Sequence, residues 1–322
     1  MNVQELKQKV LNGGLLDRSE AQWLCTAPLD ELCAAADEIR RHFCGDAFDL
    51  CTIVNGKCGR CSEDCKYCAQ SAHYPTHVEE YPLLSTEEIL RQARYNAERG
   101  VLRYSIVTSG KRLSDAEVDR VCESIRAVRR EVGIEVCVSF GLLEEEQFRK
   151  IKQAGASRVH CNLESSRRFF PSVCTTHTTD QKIAALQTAR RAGLSVCSGG
   201  IMGLGETMDD RIDMALELRQ LGVKSVPVNF LNPIPGTPYA HNPPLSDAEK
   251  RRIIAIYRFL LPDASIRLAG GRGLMADKGR ACFAGGANAA ISGDMLTTAG
   301  ISIHTDRLLL DELGYRPRLW DK

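Results

Sequence analysis

Two hydrophobic periods alternate along most of the chain. From residue 48 onward, short apolar runs typical of strands are followed by amphipathic segments typical of helices. The predicted strands are 48–54, 101–110, 134–141, 156–165, 194–203, 223–231, 264–271 and 288–293. The predicted helices are 84–100, 113–133, 144–154, 179–192, 207–221, 246–261 and 276–283. Three short helices, at 2–12, 18–26 and 29–42, are predicted to precede them.

The repeated strand–helix cycle predicts a parallel sheet with right-handed crossovers. Eight strands in 322 residues favour an α/β fold of the (β/α)8 TIM-barrel type, and an open doubly wound sheet is the alternative. We predict one domain over 1–322. It would consist of a helical cap at 1–44, the barrel and active site at 45–300, and a C-terminal tail at 301–322. In either fold, functional side chains are expected at the C-terminal ends of the strands.

Composition narrows the class of protein. The 42 basic and 41 acidic residues are well mixed and give a net charge of +1, so no basic surplus predicts nucleic-acid binding. The charged N-terminus lacks the apolar core of a signal peptide, and no run reaches the roughly 18 apolar residues of a membrane span. We therefore expect a cytoplasmic protein with no membrane partner. In that compartment, the 14 cysteines are expected to be metal ligands, catalytic thiols or buried small side chains.

Residues 51–74 concentrate the candidate chemistry, because they hold five of those cysteines. Three of them, Cys61, Cys65 and Cys68, have the spacing C-x3-C-x2-C. Thiolates suit zinc, copper(I) and iron–sulfur clusters. A structural zinc site would need a fourth ligand, which Cys58 could supply. A four-iron cluster held by three cysteines would instead leave one iron open. The spacing alone leaves both alternatives open.

The predicted strands carry polar and sulfur-bearing residues where a barrel core normally has Val, Ile and Leu. Such groups are costly to bury unless they find partners. Their occurrence on several strands predicts a deep polar site instead of a filled core. The residues are Cys137, Asn162, Glu164, Cys197, Asn229 and Arg267.

The C-x3-C-x2-C spacing, with Tyr67 before the last cysteine, resembles the radical S-adenosylmethionine (SAM) enzymes. Further segments, in order, resemble the biotin synthase family within that group. They are CSEDCKYCAQS (61–71), GGIMGLGET (199–207), VPVNFLNPIPGTP (226–238), RLAGGR (267–272) and GDMLTTAG (293–300). The resemblance implies sulfur insertion that converts dethiobiotin to biotin through a 5′-deoxyadenosyl radical. It also implies a homodimer and an electron donor such as flavodoxin or ferredoxin.

The same resemblance assigns a [4Fe-4S] cluster to Cys61, Cys65 and Cys68, with SAM as its partner. It places Tyr67 beside the adenine or the cluster, Glu164 at the ribose hydroxyls, and Asn162 among the same contacts. His177 occupies a position where the family tends to have arginine near the SAM carboxylate. A histidine there can donate a hydrogen bond, and the alternative is a histidine in a surface loop.

For the substrate, the resemblance implies that Asn162 and Asn229 bind the ureido ring of dethiobiotin, since an amide both donates and accepts. Thr297 and Thr298 would bind the substrate carboxylate. For Thr297 and Thr298, the alternative is an ordinary turn after a strand.

The family's auxiliary [2Fe-2S] cluster has three cysteine ligands and one arginine, and it supplies the sulfur. Cys137, Cys197 and Arg267 match three of these positions. The fourth is Ser105, a poor ligand for soft metals. We therefore predict a remodelled auxiliary cluster that is larger, with four irons, and that recruits one or both of Cys58 and Cys161. Strand alternation puts Cys161 on the face opposite Asn162 and Glu164, so it could reach the interior only through a bulge or a local twist.

Two other classes compete with this interpretation. Hydrogenase maturases and methylornithine mutases are radical SAM enzymes with the same loop and barrel, but the strand asparagines and the Cys137, Cys197 and Arg267 set favour the biotin synthase family. An electron-transfer or zinc-binding module without catalysis is the non-enzyme alternative. Such a module would not need polar groups on five strands.

Overall fold

A computed structural model describes residues 1–320 and confirms the (β/α)8 barrel. Within these residues the strands are β1 (Ala47–Lys57), β2 (Arg103–Thr108), β3 (Glu135–Ser139), β4 (Arg158–His160), β5 (Ser195–Cys197), β6 (Gly200–Met202), β7 (Ser225–Phe230), β8 (Ser265–Leu268), β9 (Ala289–Ile291) and β10 (Arg316–Pro317). The strands pair in parallel in the order β1, β2, β3, β4, β5, β7, β8, β9, with β6 also paired to β7, and β9 pairs with β1. This last pairing closes the barrel and excludes the open sheet.

Eleven α-helices accompany the strands in the described chain. They are α1 (Val3–Leu11), α2 (Arg18–Leu24), α3 (Leu29–Cys44), α4 (Thr86–Ala97), α5 (Asp115–Glu131), α6 (Glu145–Ala154), α7 (Thr179–Arg191), α8 (Met208–Gln220), α9 (Asp247–Leu260), α10 (Arg280–Phe283) and α11 (Ile303–Glu312). Capping boxes fix several helix starts, as at α5, where Ser114 and Glu117 bond each other's backbone amides. The apolar helix faces then pack against the outside of the barrel.

The segment predicted as one strand at 194–203 is divided in two. β5 and β6 both pair with β7, and residues 198–199 separate them. Gly199 explains the break, because a Cβ atom there would lie 1.9 Å from the carbonyl oxygen of Pro227. Only glycine permits so close an approach of two backbones.

The ends of the chain pack against the barrel. At the N-terminal end, α3 packs against α9 and α2 packs against α8. The segment predicted as a tail at 301–322 contains α11 and the short β10, and β10 pairs with the start of β1. Residues 321 and 322 lie outside the described residues. The division into cap, barrel and tail remains a prediction.

Large apolar side chains fill the layer between strands and helices. The barrel interior is different, since its inward positions are polar near the C-terminal ends of the strands. None of the helices in residues 1–320 combines the length and the apolar character needed to cross a membrane.

Candidate active site

A cavity of about 370 Å³ opens at the C-terminal ends of the barrel strands. Every second side chain of a strand faces the barrel interior, and β4 with the residues that follow it shows this pattern. Arg158, His160, Asn162 and Glu164 line the cavity, whereas Cys161 belongs to the hydrophobic core outside it. The cavity therefore lies where the barrel fold predicts a functional site.

The loop after β1 holds the three cysteines of the C-x3-C-x2-C sequence at the mouth of this cavity. Backbone hydrogen bonds shape the loop: the Cys61 amide donates to Gln70 O at 2.9 Å, and the Cys68 amide donates to Cys65 O at 3.0 Å. Cys61 and Cys68 line the cavity. The Gly110 amide donates to Cys61 Sγ at 3.3 Å, as backbone amides commonly do around cluster sulfurs.

Cys65 faces a second thiol behind the loop. Its Sγ, Cys174 Sγ and a ring nitrogen of His177 all lie within 4.8 Å of one another. The hydrogen bond between the two thiols raises the pKa of Cys65 and lowers that of Cys174 to about 4. The pair therefore shares a proton, and one sulfur ionises far more readily than the other. His177 is buried there, and its Nδ1 donates to Glu63 Oε2 at 2.5 Å. It is not among the residues that line the cavity.

Tyr67, Glu164 and Asn162 form one hydrogen-bonded group in the cavity. Tyr67 bonds the Glu164 carboxylate, and Asn162 Nδ2 donates to Glu164 Oε2 at 3.3 Å. Glu164 has φ of +70°, a left-handed backbone conformation that costs a residue with a side chain about 1–3 kcal/mol. Strain of this kind is concentrated at functional sites, where surrounding structure maintains it.

The two strand asparagines hold the interrupted strand in place. The Gly199 amide donates to Asn162 Oδ1 at 3.0 Å, and Asn229 Nδ2 donates to Gly200 O at 3.1 Å. Asn229 Oδ1 also accepts from the Gly270 amide at 2.8 Å. Both amides line the cavity, and each retains hydrogen-bonding capacity for a ligand.

Thr297 and Thr298 lie in the loop that follows β9 and line the cavity from its outer side. Their loop is tied to the barrel, because Asn55 Nδ2 donates to Leu296 O at 3.0 Å. Thr297 is exposed and Thr298 is half-buried. Both hydroxyls are therefore accessible from the mouth of the cavity.

Deeper in the barrel, three thiols come together from β1, β3 and β5: Cys51, Cys137 and Cys197 line the cavity. Burial raises the pKa of Cys51 to about 12 and also raises that of Cys137. Burial would raise the pKa of Cys197 too, but a hydrogen bond from His160 and the nearby arginines lower it to about 7. Ser105 lines the same region and pairs in register with Cys137.

A buried ion cluster lies under these thiols. The Asp49 carboxylate is 3.0 Å from Arg103 Nε, 3.3 Å from Arg267 Nη2 and 3.8 Å from Arg158 Nη1. Burial opposes ionisation of Asp49, but the three guanidinium groups outweigh it and lower its pKa. One carboxylate against three cations leaves surplus positive charge, which favours anionic thiolates and inorganic sulfide. The donor set and its charge therefore fit an iron–sulfur cluster.

Two cysteines that the sequence put forward as cluster ligands lie elsewhere. Cys58 is buried and pairs through its backbone with Tyr81. Cys161 is packed in the apolar core behind β4, as strict alternation requires. The structure brings neither of them to the cavity.

Sequence reasoning overlooked Cys51, His160 and Lys182. Cys51 has the same alternation phase as Asp49, so the inward face of β1 could have identified it. His160 lies two residues before Asn162 and could have been found in the same way. Lys182 on α7 is buried beside Glu164, Cys161, Cys65 and Cys174. Burial would lower its pKa, but those groups raise it, so the lysine is a buried cation.

Comparisons with known proteins agree with this geometry. The model of the radical SAM superfamily matches residues 57–218. The model described as the biotin and thiamin synthesis associated domain matches residues 227–316. The first contains the cysteine loop, and the second contains Asn229, Arg267 and the two threonines.

Curated relatives match almost the whole chain. A biotin synthase of Akkermansia muciniphila is 60% identical over 314 residues, which are 98% of each chain. A protein of Corynebacterium diphtheriae named biotin synthase 2 is 58% identical over 314 residues, covering 97% of this chain and 95% of the relative.

Solved structures share the fold at low identity. A methylornithine synthase has a TM-score of 0.85 and 20% identity, with 98% of each chain covered. The hydrogenase maturase of Carboxydothermus hydrogenoformans has a TM-score of 0.81 and 20% identity, covering 98% of this chain and 79% of its own. These likenesses show the barrel alone.

Proposed function

The chain belongs to the biotin synthase family of the radical SAM superfamily, and from that membership we infer that it inserts sulfur into dethiobiotin to form biotin. The observation that carries this inference is the pairing of two sulfur-rich centres in one barrel. One is the cysteine loop at the mouth, and the other is the thiol group at the base. The family uses a [4Fe-4S] cluster, SAM and an auxiliary iron–sulfur cluster. When bound, they supply a 5′-deoxyadenosyl radical and the sulfur atom.

We propose that Cys61, Cys65 and Cys68 hold the [4Fe-4S] cluster at the mouth. The amide of Gly110 supports this assignment, because it already donates to Cys61 Sγ. Tyr67 and Glu164 would then form the SAM pocket, in which the Glu164 carboxylate accepts from the ribose hydroxyls. The strained backbone of Glu164 supports a role that needs one fixed carboxylate direction.

Dethiobiotin would lie between the two centres. We propose that Asn162 and Asn229 bind its ureido ring with the donors and acceptors that their backbone contacts leave free. Thr297 and Thr298 would bind its carboxylate at the outer side of the cavity. The depth of the barrel would keep water away from reactive carbon atoms.

For the auxiliary cluster we propose the ligands Cys51, Cys137, Cys197 and Arg267. In this assignment, Cys51 on β1 replaces the ligand that is lost at Ser105 on β2. It lies on the neighbouring strand and faces the same cavity. Cys58 and Cys161 are not retained in the proposed ligand set.

We retain the proposal of a cluster larger than [2Fe-2S], with four irons. The support is the changed donor set: Ser105 is a poor ligand for soft metals, whereas Cys51 brings a third thiol to this end of the cavity. Mössbauer spectra of anaerobically reconstituted protein would test this. A pure [2Fe-2S] signal beside the [4Fe-4S] signal would contradict it.

We further propose that a flavodoxin or a ferredoxin supplies electrons. The three loop cysteines are partly exposed, which would give a donor protein a short path to the cluster. The homodimer rests on the family resemblance, and analytical ultracentrifugation tests it.

The experiment that tests the proposed activity is an anaerobic incubation of the reconstituted enzyme with SAM, dethiobiotin and a reductant. We expect biotin and 5′-deoxyadenosine together. Absence of both products from fully loaded enzyme would overturn the proposal. Formation of 5′-deoxyadenosine without biotin would retain the radical chemistry and refute the substrate.

A further inference from the structure

Cys65, Cys174 and His177 form a compact group of metal-binding side chains behind the cysteine loop. Their candidate ligand atoms all lie within 4.8 Å of one another, and Cys174 Sγ is 3.3 Å from His177 Nδ1. Cys174 and His177 are buried and Cys65 is partly exposed. Cys65 belongs to the C-x3-C-x2-C sequence, whereas Cys174 and His177 lie outside it and have no role in the proposed function.

The distances correspond to ligands of a single ion. Zinc binds cysteine sulfur at about 2.3 Å and histidine nitrogen at about 2.0 Å, so a tetrahedral ion separates a sulfur ligand from a nitrogen ligand by about 3.6 Å. The observed 3.3 Å between Cys174 Sγ and His177 Nδ1 is close to this value. The two sulfurs are hydrogen-bonded to each other and lie within 4.8 Å, and two thiolates on one zinc are expected at about 3.8 Å.

Neighbouring carboxylates complete the surroundings. Glu63 Oε2 lies 2.5 Å from His177 Nδ1, the nitrogen that also faces Cys174, so an ion bound to Nδ1 would displace this hydrogen bond and leave the carboxylate beside the ion. Asp64 Oδ1 lies 3.1 Å from Cys174 Sγ and accepts from the Thr175 amide at 2.8 Å. These contacts fix the 174–177 segment against the cysteine loop without any metal. Lys182 is the opposing cation near both thiols.

We propose that Cys65, Cys174 and His177 bind a single thiophilic divalent cation, zinc or ferrous iron, in the cluster-free protein. Cys65 cannot serve this ion and the [4Fe-4S] cluster at the same time. Occupation of the site therefore prevents assembly of the cluster, and zinc bound there blocks the enzyme. The competition rests on the proposed role of Cys65, whereas the cation site itself rests only on the geometry.

Cobalt is the probe, because a tetrahedral thiolate site gives Co²⁺ intense visible and thiolate-to-metal charge-transfer bands. The full-length chain would be stripped of iron anaerobically under reducing conditions and titrated with Co²⁺. Cys51, Cys137 and Cys197 also offer thiolates, so each variant is compared with wild type by difference spectroscopy. The variants are Cys174→Ala, Cys65→Ala, Cys61→Ala and Cys68→Ala, with Cys122→Ala as the control at a buried cysteine on α5.

We expect Cys174→Ala and Cys65→Ala to lose the same tetrahedral band. Cys61→Ala, Cys68→Ala and Cys122→Ala should keep it, and Zn²⁺ should displace the cobalt. Equal loss in Cys61→Ala or Cys68→Ala would overturn the proposal, because cobalt would then occupy the three-cysteine loop itself. An unchanged band in Cys174→Ala would overturn it too.

Cluster assembly supplies the second readout and shows that the variant folds. Zinc-loaded wild type should fail to assemble the [4Fe-4S] absorption until a chelator is added, whereas Cys174→Ala should assemble it in the presence of zinc. Equal sensitivity of both proteins to zinc would refute the competition. Biotin formation plays no part in either readout, so failure here is separate from failure of the proposed activity.

Discussion

At the scale of single residues, the cavity is assembled from inward positions that strand alternation selects. The cysteine loop and the strand residues that match the family could be predicted from the sequence, because the residue types and the order of the segments along the chain identify them. The ligand set that we propose for the auxiliary cluster could not be fully predicted. Cys161 lies beside Asn162 in sequence but faces the core, whereas Cys51 lies in a strand with an ordinary apolar sequence and faces the cavity. Which thiols meet depends on register between strands that are distant in sequence.

Replacing Cys51 by alanine tests its proposed role as an auxiliary ligand. We expect Cys51→Ala to lose the auxiliary cluster while keeping the [4Fe-4S] cluster, because only the base of the cavity loses a ligand. Biotin formation should fall at least about 100-fold, since even outer-shell changes at metal sites cost 10–100-fold. Iron content and Mössbauer spectra provide the measurement. Cys161→Ala is the matched control, and loss of auxiliary iron in that variant would reverse the assignment.

Lys182 is a buried cation next to the loop cysteine Cys65. Its ammonium lies 5.6 Å from the centre of the Phe170 ring and near Cys65. We expect Lys182→Met to make the [4Fe-4S] cluster harder to reduce. Reduction adds negative charge to the cluster, and the variant lacks the ammonium that would stabilise this charge. A redox titration followed by electron paramagnetic resonance measures this midpoint potential. Lys182→Arg should retain the original potential, and an unchanged potential in Lys182→Met would remove the proposed electrostatic role.

At the scale of elements, the strand–helix alternation predicted all eight barrel positions, because buried parallel strands and capped amphipathic helices leave distinct patterns. The division of the fifth barrel strand was not predicted. It depends on the approach of Gly199 to Pro227, which is a contact between separate strands. Helix α11 was assigned to the tail, although Ser302 caps it in the usual way.

The break between β5 and β6 depends on glycine at position 199, so substitution there is expected to lower the free energy of unfolding. Gly199→Ala should destabilise the protein by at least about 1–3 kcal/mol, because the added methyl group meets a backbone oxygen and cannot be accommodated by a side-chain rotation. Denaturant unfolding monitored by circular dichroism gives the free energy of unfolding. Gly273→Ala, where a Cβ atom meets nothing within 4 Å, should change it little. Equal stability of the two variants would contradict the proposed cause of the break.

At the scale of the whole molecule, the barrel carries a charged interior that joins four strands. Asp49 on β1 holds Arg103 on β2, Arg158 on β4 and Arg267 on β8. The sequence predicted Arg267 as a buried polar residue but not its partners, because ion pairs across a closed barrel depend on its closure. The same charges that hold the strands together surround the proposed auxiliary site.

Asp49→Asn should therefore destabilise the protein by about 3–5 kcal/mol, the usual cost of leaving a buried charge without its partner. Since the pKa of Asp49 is lowered in the folded protein, its contribution is complete above the ordinary carboxyl pKa of about 3.9 and is lost as the pH falls through the folded value. The difference between wild type and variant should stay constant from neutral pH to about pH 4 and shrink in stronger acid.

Denaturant unfolding across this pH range measures both effects. Asp46→Asn is the control, because Asp46 pairs with the exposed Arg316 and Arg318 and should change stability by less than about 1 kcal/mol. A difference for Asp49→Asn that already shrinks near neutral pH would contradict the lowered pKa.

We propose that one barrel generates the radical at its mouth and donates sulfur from its base. The most direct measurement is the isotope content of biotin from a single turnover. The auxiliary cluster would be reconstituted with heavy-isotope sulfide, and the enzyme would then be freed of excess sulfide and mixed with SAM, dethiobiotin and reductant. We predict biotin that carries the heavy sulfur, formed together with 5′-deoxyadenosine. Biotin without the label, or no biotin from fully loaded enzyme, would contradict sulfur donation from the base of the barrel.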